Sequence, residues 1–262
     1  MIKPIGSFHQ IDKDGYIGNP ARYPVLQQDY AAVVEYIIEK VSSLLGEELH
    51  SMYLRGSVAK GEAIPYISDI DTLLITHQPL SPEDRNELEK LQDSISELYP
   101  FITKLELHAE PLPEVEKRWL RFLLKTSCVC VYGEDLGPGI EPFKVSDHGK
   151  GQLRVIVKQI EEFEEELNTI DDSHAETIKE GCVWICKAVL RAGFELVMER
   201  DNSYTRDLYP CYERFSNYYP EYEPTMRRVL ELAIEPVSDK QILSAVSGKI
   251  KNFFKNQLRG IT

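Results

Sequence analysis

The stretch LRGSVAKGEAIPYISDIDTLLIT, residues 54–76, carries the pattern from which the fold of the chain is read. Met52-Tyr53-Leu54-Arg55 reads as the end of a strand that turns at Gly56-Ser57. A short run, Val58-Ala59-Lys60-Gly61-Glu62, follows, then a loop closed by Pro65. A second strand begins at Ile70 and runs through Leu73-Leu74-Ile75. Asp69 and Asp71 head that strand two residues apart, and the period of two in extended chain points both side chains to one face. Two carboxylates held side by side repel each other unless a cation lies between them. Oxygen ligands on a rigid scaffold suit Mg²⁺, which commonly takes one or two carboxylates together with substrate phosphates.

Strand, Gly-Ser turn, short helix and Ser-Asp-x-Asp heading an apolar strand together resemble the signature of the DNA polymerase β-like nucleotidyltransferases. The arrangement is most similar to their small-molecule branch, the streptomycin/spectinomycin type of aminoglycoside adenylyltransferase. Gly56, Ser57, Ser68, Asp69 and Asp71 carry the match, which is specific over residues 50–135 and looser beyond. The resemblance implies an α/β (α+β) nucleotidyltransferase domain with a mixed, mostly antiparallel sheet over residues 1–140. An α-helical bundle domain over residues 141–262 would follow, with nucleotide and acceptor held between the two.

Composition narrows the field. The 262 residues, 42% hydrophobic and 28% charged, are ordinary for a globular chain of one or two domains. No apolar run approaches the roughly 18 residues needed to cross a bilayer. The opening MIKPIGSFHQIDKDG lacks the apolar core of a signal peptide. With five cysteines, an odd number, reduced thiols in a cytoplasmic protein are expected. Cys182 and Cys186, one helical turn apart beside Trp184, read as packing residues. The formal charge of −13, densest at Glu161-Glu162-Phe163-Glu164-Glu165-Glu166, argues against a nucleic-acid partner, because gripping polynucleotide takes a basic face. An acidic cleft would instead attract a polycationic small molecule.

Residues 1–28 read as an irregular arm, and Val33, Val34, Ile37, Ile38, Val41 and Leu45 recur at helical spacing up to Gly46. A helix should start at Ser81, where Ser-Pro-Glu-Asp supplies an N-cap, a first-turn proline and two acids, and should end before Pro100. Phe101–His108 alternates as a strand, Glu114–Lys125 is helical, and Ser127–Tyr132 is a short strand closed by Gly133. The loop GEDLGPGIEP, 133–142, marks the domain boundary. Beyond it helices are expected over 148–168, 174–199, 204–218, 223–234 and 238–258, with Tyr209-Pro210 interrupting the third.

Nucleotidyl transfer needs a metal bridging the triphosphate, an acceptor hydroxyl held in line and a base to take its proton. Asp69 and Asp71 are the candidate metal ligands. The backbone N–H groups of Gly56-Ser57 and the Ser57 hydroxyl are candidates to hold the phosphates of ATP. Ser68 has two readings, a phosphate contact or a cap on the turn before Ile70. Glu106, in KLELHAE, stands where the resembling family carries its third acid. In polymerase-like members that acid completes the metal site, whereas in the streptomycin/spectinomycin branch it is the general base. Both roles stand for Glu106, with Glu110 as the alternative on the same strand face and His108 beside it. The resemblance further implies cationic phosphate contacts from the helical part, matched by Lys187 and Arg206, with Lys60 nearer the turn. Trp119, Glu180, Asp201, Asp207 and the Tyr209–Tyr222 stretch are available for acceptor recognition. The implied reaction moves AMP from Mg·ATP to a small-molecule hydroxyl and releases pyrophosphate. An aminoglycoside or aminocyclitol leads among acceptors, which would link the chain to antibiotic resistance. A lincosamide, another metabolite, a protein hydroxyl or a non-catalytic nucleotide sensor are the rival readings.

Overall fold

The computed structural model describes residues 2–22 and 28–259, so residues 23–27 of the N-terminal arm lie outside the described part. The chain divides into two compact units, Asp12–Lys144 and Met1–Ile11 with Val145–Thr262.

In the first unit a helix, α1 (Gln28–Leu45), leads into strand β1 (Leu49–Arg55), and the short α2 (Gly56–Lys60) follows the Gly-Ser turn. Strand β2 (Ile70–Thr76), helix α3 (Pro82–Leu98), strand β3 (Leu105–Pro111), helix α4 (Arg118–Ser127) and strand β4 (Cys128–Gly133) complete it. The sheet order is β3-β2-β1-β4. β1 is antiparallel to β2 and to β4, while β2 and β3 run parallel, so the sheet is mixed and mostly antiparallel as expected. The parallel pair is possible because α3 carries the chain back to the starting end.

Alternation along the strands builds a core on each face. Met52, Leu54, Ile70, Leu74, Leu105 and Leu107 pack with Val33, Val34, Ile37 and Val41 of α1 and Leu88 and Ile95 of α3. On the opposite face Tyr53, Leu73 and Ile75 pack with Leu120 and Leu124 of α4. β3 is an edge strand, and the Leu107 N–H donates to Gln92 Oε1 of α3 at 2.6 Å. That side chain satisfies a backbone group that would otherwise be open to another strand. Ser81 caps α3 as its sequence promises, accepting from the Asp84 N–H at 3.1 Å.

Two local expectations in this unit are corrected. The third strand begins at Leu105, not Phe101, because Phe101 and Ile102 are anchors of a turn. The Ile102 N–H donates to the Tyr99 carbonyl, and the Phe101 ring meets Tyr30 edge-on at 5.4 Å. Alternate burial in that turn imitates a strand. The helix read over 114–125 is a 3₁₀ turn, Leu112–Glu116, followed by α4.

The second unit holds α5 (Gly151–Thr169), α6 (Ala175–Asp201), α7 (Leu208–Tyr218), α8 (Glu223–Ile234) and α9 (Lys240–Leu258). Helix α6 packs against α5, α7 and α8. Its Cys182, Ile185, Cys186, Val189 and Phe194 are buried, so both cysteines serve packing. Phe215 of α7 and Phe253 of α9 meet edge-on at 5.5 Å. Helix α7 starts at Leu208 rather than at 204, because residues 2–11 strap down the segment before it. The Ser7 N–H donates to Asp207 Oδ2 at 2.9 Å, the Thr205 hydroxyl to the Ser7 carbonyl at 2.7 Å and the His9 N–H to the Tyr204 carbonyl at 2.8 Å. The first part of the arm is thus tied to the helical unit. Pro210 does not interrupt α7. It lies in the first turn, where an N–H has no intrahelical partner to lose.

Gly133 ends β4 with φ +77°, and a Cβ there would lie 2.9 Å from Ser51 Cα and closer still to the His50 carbonyl oxygen. Gly133→Ala combines a left-handed backbone with a clash against β1 main chain. It should destabilise the fold by about 1–3 kcal/mol, read as a lower urea midpoint. An unchanged midpoint would show that the β1–β4 end rearranges freely.

Candidate active site

Two of the acids singled out in the sequence, Asp71 and Glu106, meet at one end of the sheet, on the face that packs α4. Register determines this. Arg55, the last residue of β1, lies opposite Asp71 of β2, and Asp71 lies beside Glu106 of β3. The three side chains form a row across three strands. Arg55 was given no role in the sequence, yet one of its nitrogens, Nη2, is 3.0 Å from Glu106 Oε2 and 3.3 Å from Asp71 Oδ1. The only signal in the sequence was a cation ending the apolar run Met52-Tyr53-Leu54. Cross-strand register was needed to give it meaning.

Gly56 follows Arg55 with φ +75°, and a Cβ there would be 2.7 Å from Asp71 Oδ2. Glycine therefore does two things at this turn. It adopts the left-handed conformation, and it lets the Asp71 carboxylate lie against the backbone. Ser57 stands in the first turn of α2. Ser68 is used by the turn, its Oγ accepting from the Ile64 N–H at 2.9 Å while its N–H donates to the Ile64 carbonyl. Asp69 immediately precedes β2, whose Ile70 N–H donates to the Lys104 carbonyl. Buried Thr72 donates to the Glu106 carbonyl at 2.8 Å, which fixes β3 against β2 at the level of the row.

Glu106 is held below the usual carboxylate range. Its hydrogen bond with the Asp71 carboxyl is the largest cause; burial opposes it, and the charges of Arg55 and Lys104 add to it. Glu106 is thereby ionised at neutral pH. His108 does not orient it: His108 Nε2 pairs with Glu110 Oε1 at 2.9 Å. Lys60 pairs with Glu62 at 2.9 Å.

Among the described residues no three His, Cys, Asp or Glu side chains are gathered closely enough to hold a metal by themselves. The three-carboxylate set of Asp69, Asp71 and Glu106 is therefore not assembled as a closed cage. What the structure brings together is Asp71 and Glu106, converging on the positive charge of Arg55. Hard carboxylate oxygens converging on a cation fit a Mg²⁺-type ion, which completes its shell with phosphate and water.

Lys187 and Arg206 belong to the helical unit. Lys187 lies on α6. Arg206 is exposed, just ahead of the Asp207 N-cap of α7, hydrogen-bonded to the Tyr204 side chain, and its carbonyl accepts from Arg191 Nε at 3.4 Å. Two of the acids considered for acceptor recognition have internal work. Asp201 pairs with Arg214 at 3.2 Å, and Asp207 takes the Ser7 N–H. Trp119 is half exposed on α4.

Residues 34–121 match the family model of the nucleotidyltransferase domain. No curated protein matches the chain in sequence. Among solved structures it is similar to spectinomycin adenyltransferase AAD(9) from Enterococcus faecialis, crystallised with ATP and spectinomycin. The identity is 14%, the match covers 86% of this chain and 99% of that one, and the TM-score is 0.54. At that identity the likeness is one of fold. Both findings agree with the resemblance carried by Gly56, Ser57, Ser68, Asp69 and Asp71. No helix among the described residues is long and apolar enough to cross a membrane.

A second titratable group escaped the sequence. Glu195 of α6 is buried and accepts the Leu153 N–H at 2.7 Å and the Gln152 N–H at 3.4 Å, closing the start of α5. His148 Nδ1 is 3.7 Å from Glu195 Oε1. Burial pushes Glu195 up to about 7 despite those N–H groups and the charges of Arg206 and Lys150. Burial first, then Arg206 and Lys150, pushes His148 down to about 4. A raised carboxyl contributes stability that is complete below its ordinary value and is lost as pH rises through about 7. A lowered histidine contributes stability that is complete above its ordinary value and is lost as pH falls through about 4. The two slopes oppose each other. Glu195→Gln removes only the first, so the melting temperature of the variant should climb more steeply than that of the parent between about pH 4 and 6.5. Parallel melting curves across that window would show that Glu195 is not held as described.

Proposed function

We propose that the protein is a nucleotidyltransferase that moves AMP from Mg·ATP to a hydroxyl of a small molecule and releases pyrophosphate. The observation that carries this is the Asp71–Glu106 carboxylate pair beside the Gly56-Ser57 turn, inside the stretch that matches the nucleotidyltransferase domain. Asp69 and Asp71 would hold Mg²⁺, which when bound neutralises charge on the triphosphate and on the leaving pyrophosphate. Ser57 and the backbone N–H groups of the turn bind phosphate oxygens. Ser68, occupied in its turn, contributes at most its hydroxyl proton. Glu106 accepts the proton of the acceptor hydroxyl as that oxygen forms its bond to the α-phosphorus and the bond to pyrophosphate breaks. Its lowered proton affinity keeps it in the base form at neutral pH.

The acceptor we propose is an aminoglycoside or aminocyclitol, which would make the protein an agent of antibiotic resistance. The similar solved protein was crystallised with spectinomycin, and the formal charge of −13 favours an amine-rich partner. Transfer of α-phosphate label from each of the four nucleoside triphosphates across an acceptor panel tests this. Label moving from ATP to spectinomycin or streptomycin is the expected result. Transfer only to lincosamides or to protein would move the acceptor class, and no transfer to any acceptor by folded protein would refute the reaction.

Two variants assign roles. Glu106→Gln is nearly isosteric but takes no proton, so ATP·Mg binding should survive while turnover falls about 10²–10⁴-fold. If binding collapses with turnover, Glu106 is a metal ligand instead. Arg206 and Lys187 are proposed as phosphate contacts. A charge-assisted contact of that kind is worth about 1.5–3 kcal/mol, roughly 10–150-fold in affinity. Arg206→Ala should weaken ATP by that order and AMP much less, measured by calorimetric titration with Mg²⁺ present. Equal losses for both nucleotides would remove Arg206 from the distal phosphates.

A further inference from the structure

One guanidinium nitrogen of Arg55 is shared between carboxylates on two different strands, 3.0 Å from Glu106 and 3.3 Å from Asp71. Arginine normally meets a carboxylate with two parallel N–H bonds from its fork. Here instead a single positive nitrogen stands between two oxygens from separate residues, which is the position of a bridging ion rather than of a forked pair. The contact is also poorly explained as a stabilising bridge. The side chains of Arg55, Asp71 and Glu106 are 26%, 21% and 47% exposed, and ion pairs that open to solvent contribute little to folding. The row also gathers like charge that a cation relieves. Asp71 and Glu106 are neighbours in register, Asp69 adds its charge to theirs, and like charges at such spacing oppose each other. Gly56 meanwhile leaves room for Asp71, whose Oδ2 lies where a side chain at residue 56 would begin.

We propose that Arg55 is a displaceable internal counter-ion. In the nucleotide-free protein its guanidinium neutralises Asp71 and Glu106 together and competes with the divalent cation for Asp71. Free metal consequently binds weakly, and the ion enters productively only together with the triphosphate that it accompanies. The same contact masks Glu106 until the exchange occurs, so base and metal site are uncovered in one event. The inference rests on the reading of Asp69 and Asp71 as metal-binding carboxylates. It adds that a residue of this chain stands in for the metal before the metal arrives.

The test uses Mn²⁺ alone, without nucleotide, on the full chain, with free ion counted by electron paramagnetic resonance. Arg55→Gln should bind Mn²⁺ about tenfold more tightly than the parent, with Arg55→Lys, which keeps the charge, close to the parent. Asp71→Asn in the Arg55→Gln background should abolish the gain. Equal or weaker Mn²⁺ binding by a folded Arg55→Gln variant would overturn the proposal. A measurement on the unaltered protein guards against a variant that fails to fold. The Arg55 guanidinium resonance in nuclear magnetic resonance should shift as Mg²⁺ is titrated to saturation, and a resonance indifferent to Mg²⁺ would equally overturn it. Neither readout uses transfer activity. A Mn²⁺ gain without any adenylylated acceptor would leave this inference standing and remove the proposed reaction. Transfer with unchanged Mn²⁺ binding would do the reverse.

Discussion

The pairing of Arg55 with Asp71 across β1 and β2, and of Asp71 with Glu106 across β2 and β3, is the constraint on which the sheet unit depends. Side chains alternate with a period of two, so one register decides two things together. It sends Met52, Leu54, Ile70 and Leu74 into the core with α1 and α3, and it sends Arg55 and Asp71 to the opposite face at the strand ends. A slip of one residue would exchange the side chains that pack α1 and α3 for those that pack α4 and would carry the charged row into the α1–α3 core. Core and site are thus specified by the same hydrogen bonds. Thr72 and Gln92 reinforce them where β3, as an edge strand, is weakest.

Local chemistry accounts for what could be read in advance. The Ser81 cap, the period of α1 and the limits of β2 depend on neighbours in sequence, and they stand in the structure as the sequence has them. Departures occur where a distant segment decides. The strand read from Phe101 starts later because Tyr30 takes the Phe101 ring. The helix read from 204 starts later because Ser7 and His9 bind the segment ahead of it. Arg55 and Glu195 went unassigned for the same reason. Their partners are Glu106, 51 residues away, and the Leu153 N–H, 42 residues away, and no periodicity within either element points to them.

Charge distribution shows the same divide between composition and arrangement. The run Glu161–Glu166 is the densest acid in the chain, and on composition alone it is a field for a cationic ligand. In the helical unit part of it is consumed. Glu161 pairs with Lys255 at 2.6 Å, and Glu164 pairs with Lys251 and accepts from the Ser247 hydroxyl at 2.9 Å. These are contacts between α5 and α9, so their first task is to join two helices. Net charge therefore speaks to which partners are repelled more firmly than to where a partner binds.

The chemistry of the row turns on a conflict that the geometry itself contains. The base role proposed for Glu106 requires it to be ionised, and it is kept ionised by the groups around it. The same groups weaken it as a base, because whatever stabilises the carboxylate also lowers its appetite for a proton. A carboxylate locked permanently to Asp71 and Arg55 would be ready but ineffective. The conflict eases if the Arg55 contact is temporary, the larger Asp71 contact remaining. The row is partly open to solvent, which gives the guanidinium somewhere to go. A site built this way stays charge-balanced at rest and releases Glu106 from the guanidinium only when another cation has taken over the balance at Asp71.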